Sequence, residues 1–122
     1  MQVNLHTDHH LDGHEAIAFH LDQVVKASLA RFVDHVTRVE AHLGDREGHA
    51  KSSPGSVRCM LEARLNGLPP VSVTEHAPTV HQAISGASGK LERAVDSALG
   101  RRQAAKRSAA AQEGVLGESP AE

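Results

Sequence analysis

The chain has no tryptophan, no tyrosine and two phenylalanines among 122 residues, so it lacks the aromatic platforms on which proteins stack single-stranded RNA bases. Any nucleic-acid recognition would have to rest on charge and shape. A single cysteine excludes an internal disulfide and fits a reducing compartment. No apolar run reaches membrane-spanning length and no charged-then-apolar leader opens the chain, so a cytoplasmic protein without membrane contact is expected. Also missing are a phosphate-cradling glycine loop, a nucleophile elbow and a carboxylate pair set for acid-base work. The reading is therefore not an enzyme, with no cofactor and no small-molecule substrate.

What is present is hydrophobic periodicity. Val39, Ala41 and Leu43 alternate with Arg38, Glu40 and His42, the pattern of a strand buried on one face. The alternation recurs from Val57 to Leu65 and, more briefly, from Val71 to Thr74. Gln2 to Thr7 reads as a short edge or near-edge strand with Val3 and Leu5 on one side. Ile17, Leu21, Val24, Val25, Leu29 and Phe32 recur at helical spacing behind a capping box at Asp12 and Glu15, so a first helix is expected from Asp12 to Phe32, passing directly into the strand. Gly44 to Gly55 has turn chemistry and no period, and Asn66 to Pro70 reads as a tighter hairpin. A second capping box, Thr79 with Gln82, opens a helix carrying Val80, Ala83, Ile84, Ala87, Leu91, Ala94, Val95 and Leu99, with Gly100 as its C-terminal cap, beyond which alanine and arginine could add further helical turns from Arg101 to Arg107. Gly86 and Gly89 inside it imply a weak turn or a close backbone approach.

The order strand, helix, three-strand meander, helix has one economical packing. It is an α+β two-layer sandwich, β-α-β-β-β-α, with both helices on one face of a four-stranded sheet. Cys59 falls on the inward face between Val57 and Leu61 and reads as a buried small hydrophobe. Arg38, Glu40, His42, Arg58, Met60, Glu62, Arg64, Ser72 and Thr74 fall outward, where opposite charges are expected to pair across strands for up to about 1 kcal/mol each. Residues 1–100 form the domain, and residues 101–122 a basic then acidic tail, expected to be largely disordered from Gly114.

Charge is ordered along the chain. Residues 1–99 hold nine basic and twelve acidic side chains, residues 100–107 four basic and none acidic, and residues 108–122 three acidic and none basic, together −2. Ten histidines would carry the chain to roughly +5 at pH 6 at their reference pKa, so RNA affinity is expected to rise on acidification. His6, Asp8, His9 and His10 have the ligand chemistry of a zinc or nickel site but not the spacing of a closed one, and no metal is assigned.

The element order, together with His35-Val36-Thr37-Arg38-Val39-Glu40, Gly48, Arg58-Cys59, Glu62-Ala63-Arg64, Pro70-Val71-Ser72-Val73-Thr74 and Thr79 through Gln82-Ala83-Ile84 to Lys90-Leu91, resembles the ribosome hibernation-promoting factor and ribosome-associated inhibitor family, also called sigma-54 modulation proteins, in its short form. The resemblance spans residues 1–100. It implies a fold like that of double-stranded-RNA-binding domains and a factor that lodges in the decoding region of the small ribosomal subunit, blocks messenger and transfer RNA, and preserves idle ribosomes in stationary phase. The implied partner is the 16S-type rRNA of the small subunit, with a monomer off the ribosome.

Such a grip needs cations repeated along a helix face, because phosphates are evenly spaced and counterion release supplies the affinity. The candidates are Lys26 and Arg31 on the first helix and Lys90, Arg93, Arg101, Arg102, Lys106 and Arg107 on the second and its extension. Lys90, Arg93 and Arg101 fall within roughly 80° of arc at helical pitch. The first helix is less basic, with Asp12, Glu15 and Asp22 against Lys26 and Arg31. The acidic balance of residues 1–99 motivates an alternative: a regulatory protein-interaction module of the same fold with weak or no RNA binding.

Overall fold

A computed structural model of the chain describes residues 1–7, 13–45 and 57–118, with side chains described through residue 110 except that of Asp45. The elements run β1 (Gln2–Thr7), α1 (His14–Ser28), a 3-10 turn (Ala30–Phe32), β2 (Val36–Asp45), β3 (Val57–Leu65), β4 (Val71–Ala77) and α2 (Val80–Glu118). The strands form one sheet in the order β1-β2-β3-β4. β1 pairs parallel with β2, and the remaining pairs are antiparallel.

Period-2 patterning sets which side of the sheet is dry. Val39, Ala41, Leu43, Cys59, Leu61 and Ala63 are fully buried, and α2 covers them with Ala83, Ile84, Ala87, Leu91 and Val95, also fully buried. α1 adds Leu21 and Val25 to the same core, followed by Leu29 and Phe32. Each fully buried Leu or Ile among these contributes about 1.5–3 kcal/mol of transfer free energy. The two-layer α+β sandwich expected from the sequence is the fold.

Several boundaries differ from expectation, each for a local reason. α1 starts at His14 behind Gly13, whose φ of 77° makes it a left-handed N-cap without a side-chain hydrogen bond; Asp12 lies outside the described residues. The α-helix stops at Ser28, and Phe32 is carried by the 3-10 turn, where Phe32 N donates to Leu29 O at 2.9 Å. Because residues three apart eclipse in such a turn, Leu29 and Phe32 both face the core and mimic a continuing helix. Val33 to His35 then make a turn, so the helix does not pass straight into β2. At its start β2 is irregular: Val36 faces Leu65 but Arg38 faces Arg64. The extra residue, Thr37, donates its hydroxyl to Arg64 O at 3.1 Å, and the bulge turns Val36 and Val39 to the same side.

β4 continues to Ala77, three residues beyond the expected strand, and β2 takes in Gly44 and Asp45. The loop expected after them lies, from residue 46 to 56, outside the described residues. Thr79 caps α2 as expected: its hydroxyl oxygen accepts Gln82 N–H at 3.1 Å. Gly100 does not end that helix. α2 continues through it to Glu118, since the alanine and arginine run that follows favours helix strongly enough to outweigh one glycine. Residues 101–118 are thus an extension of α2, and residues 119–122 lie outside the described residues.

Candidate nucleic-acid interface

The helical layer presents the sequence-predicted cations in two different states. Lys26, in the last turn of α1, lies 3.1 Å from Asp22 one turn earlier. Arg31 reaches across to α2, 3.5 Å from Glu92 and 3.6 Å from Asp96, with its guanidinium 4.3 Å from the centroid of the Phe32 ring. Lys90 is 2.7 Å from Glu75 and donates to Thr74 O at 2.9 Å. That contact also blunts the free edge of β4. Arg31 and Lys90 hold elements together, Lys26 pairs within its own helix, and the charge of all three is locally compensated.

The others differ. Arg93, Arg101, Lys106 and Arg107 are exposed and have no hydrogen-bond or ion-pair partner among the described residues. Arg102 donates to Asn66 O at 2.9 Å, tying α2 to the β3–β4 connection while its charge stays uncompensated. From Arg93 to Arg107 these side chains occupy about 21 Å of helix at 1.5 Å per residue. Arg93, Arg101 and Arg107 share an arc of roughly 120°, whereas Arg102 and Lys106 lie around the other side. Upstream of residue 98 that second side is buried on the sheet. Beyond it the helix is exposed almost all round, so cations on either side are open to an approaching phosphate.

The outer face of the sheet carries a second polar set that sequence patterning placed outward without assigning it a role. A cross-strand pair joins His6 of β1 to Glu40 of β2, but the four charges that β2 and β3 set face to face do not pair across the strands. Register sets Arg38 opposite Arg64 and Glu40 opposite Glu62, so charge compensation runs along each strand, Arg38 to Glu40 at 3.0 Å and Arg64 to Glu62 at 3.4 Å. Glu40 also pairs with His6 at 2.7 Å and accepts from Asn4 at 3.0 Å. The His6 hydrogen bond, then that of Asn4 and the charge of Arg38, hold its carboxyl below the usual carboxylate range against an opposing effect of burial.

The histidines are not part of the α2 cation set. His6 stacks on His42, with ring centroids 4.8 Å apart, and His76 shares that outer face through its pairing with Arg58. His20 of α1 meets His81 of α2 with centroids 4.1 Å apart. Burial, and then the neighbouring His81, push the His20 pKa down. Asp8, His9 and His10 lie outside the described residues, and His6 is engaged by Glu40. Among the described residues no group of three or more metal-ligating side chains could hold an ion, and no helix is long and apolar enough to cross a membrane. Cys59 is fully buried, and burial, reinforced by the Glu75 charge, pushes its thiol up to about 12.

Comparison with known proteins agrees with this architecture. A family profile described as sigma 54 modulation protein / S30EA ribosomal protein matches residues 5–103. The Thermus thermophilus Protein Y N-terminal domain is similar in structure, with a TM-score of 0.56 and 21% identity over 75% of this chain and 89% of that one. A ribosomal subunit interface protein from Coxiella burnetii superposes with a TM-score of 0.56 and 14% identity, covering 85% of this chain and 99% of that one. No curated protein matches at the sequence level.

Proposed function

The chain belongs to the sigma 54 modulation protein / S30EA ribosomal protein family, and from that premise we infer that it is a non-enzymatic ribosome-associated factor that docks on the small subunit through α2. In this reading it occupies the decoding region, excludes messenger and transfer RNA, and preserves idle ribosomes in stationary phase. One observation carries the assignment of the contact surface: Arg93, Arg101, Lys106 and Arg107 project from one helix without acidic partners among the described residues. Arg102 adds charge at the same end. Arg31 and Lys90 assist by fixing the helices to each other and to β4, and Lys26, paired within α1, adds to the contact without leading it.

Sedimentation of the protein with small subunits from stationary cells tests the reading. Co-migration is expected, and it should weaken steeply with salt because each phosphate contact releases counterions. Charge reversal of Arg93, Arg101, Lys106 and Arg107 together should abolish it, while reversal of Lys26 alone should reduce it only slightly. Absence of the wild-type protein from every ribosomal fraction would overturn the assignment.

A second reading is favoured by the neutralised cations at Lys26, Arg31 and Lys90: a regulatory module that binds protein. RNase treatment before capture separates the two. A ribosome contact is lost on digestion and a direct protein contact survives it.

A further inference from the structure

The stripe of α2 that packs on the sheet, through Ala87, Leu91, Val95 and Ala98, runs on past the last strand. Beyond Ala98 it faces the β3–β4 connection instead. Leu68, Pro69, Pro70 and Val71 on one side, and Ala98, Arg101, Arg102 and Ala105 on the other, enclose an open groove of about 520 Å³. Its lining is alanine, leucine, valine and proline together with two arginines. Arg101 has no partner among the described residues, and Arg102 uses one nitrogen on Asn66 O. An apolar floor beside two guanidinium groups suits an apolar side chain accompanied by carboxylates.

This chain contains such a segment at Glu113-Gly114-Val115-Leu116-Gly117-Glu118. It cannot enter its own groove, because α2 is unbroken from Val80 to Glu118 and Val115 lies about 20 Å further along the axis than Arg102. A second copy removes that obstacle. Laid antiparallel with their midpoint near Ala109, two α2 extensions set residues 101–107 of each against the 111–117 region of the other, and the two-fold axis makes every contact twice. Charge selects this direction. Residues 101–107 hold four bases and no acid, and residues 108–122 three acids and no base, so antiparallel copies attract and parallel copies repel.

We propose that two copies of this chain associate through the groove between α2 and the β3–β4 connection, each receiving the Glu113–Glu118 segment of the other. The contact is short and partly ionic, so the pair is weak, monomeric when dilute and sensitive to salt. It engages Arg101 and Arg102, which the ribosome-docking surface also uses, so self-association and RNA contact exclude each other. Self-association needs no RNA, and its test leaves the ribosome assignment untouched.

Sedimentation equilibrium of the full chain, free of nucleic acid, is the experiment. At low salt the mass should rise from monomer toward dimer with concentration, and high salt should raise the dissociation constant at least roughly fivefold. Two charge-reversed variants, Arg101→Glu/Arg102→Glu and Glu113→Arg/Glu118→Arg, should each stay monomeric with unchanged circular dichroism. An equimolar mixture of the two should dimerise again, since each then offers the other an opposite charge. Monomer at every concentration, association unaffected by both reversals, or a mixture no more associated than its components would each overturn the proposal.

Discussion

Lys90 and Glu75 form a 2.7 Å ion pair between α2 and the edge strand β4, and the Glu75 side chain reaches it by lying against the backbone of Gly86, one turn earlier on α2. A Cβ at Gly86 would stand 2.6 Å from Glu75 Oε2 and 2.8 Å from its Cγ. The missing side chain is what lets a carboxylate pass between helix and strand.

Gly86→Ala should therefore destabilise the protein by about 1 kcal/mol, because displacing Glu75 and its ion pair outweighs the gain in helix propensity. In a Glu75→Ala background the same change should stabilise by roughly 0.5–1 kcal/mol. Urea denaturation of the four proteins in a double-mutant cycle measures the coupling. Additive effects would show that the close approach costs nothing.

Gly89 and Gly100 lie in the same helix without that constraint. A Cβ at Gly89 would meet only Arg93 Nη1, at an ordinary 3.7 Å, and one at Gly100 would meet nothing within 4 Å. Alanine at either position should raise stability by about 0.5–1 kcal/mol. Gly100→Ala should also increase helical ellipticity. A loss of stability at Gly100 would mean that the helix depends on a break there.

The Cys59 thiol, fully buried with its pKa pushed up to about 12, stays protonated throughout the physiological range. It should resist thiol-disulfide reagents in the native protein and react at once in denaturant. The rate of labelling against denaturant concentration should follow global unfolding. Rapid labelling of the folded protein would contradict the burial.

His20 offers a pH dependence with a defined sign. Its folded pKa is depressed below the ordinary 6.5 by burial and then by His81, so the unfolded chain takes up protons that the folded chain refuses. Its contribution is intact above about pH 6.5 and declines as pH falls below it. His20→Leu should flatten the loss of stability in this range, measured by urea denaturation across the pH series. An unchanged slope would place the proton uptake elsewhere.

The strands that read most directly are those with one dry face. From Val57 to Leu65 every second residue faces the core, and sequence alternation alone gives both extent and orientation. β2 is harder at its start, since the bulge at Thr37 puts Val36 and Val39 on one side and breaks the period that pattern reading relies on. The end of α2 is hard for a different reason: a glycine within an alanine and arginine run sets a local cap signal against local propensity, and sequence ranks the two poorly. The state of each cation is the least legible feature. Lys90 is compensated by Glu75 from β4, and Arg31 by Glu92 and Asp96 from the other helix. Those acids are far from their partners in sequence, so only the fold separates bracing cations from those free to meet a ligand.

The parallel pairing of β1 with β2 sets a constraint on how the chain is made. The first six-residue strand leaves the synthesising ribosome early, yet its only neighbour in the sheet is β2, whose last residue is Asp45. The β2-β3-β4 meander can close through local hairpins, whereas β1 must return across an entire intervening helix, at a greater loop-closure cost. Nascent chains halted before Arg38 would hold Val3 and Leu5 without their sheet partners Val39 and Ala41, open to chaperones and proteases until the crossover is complete.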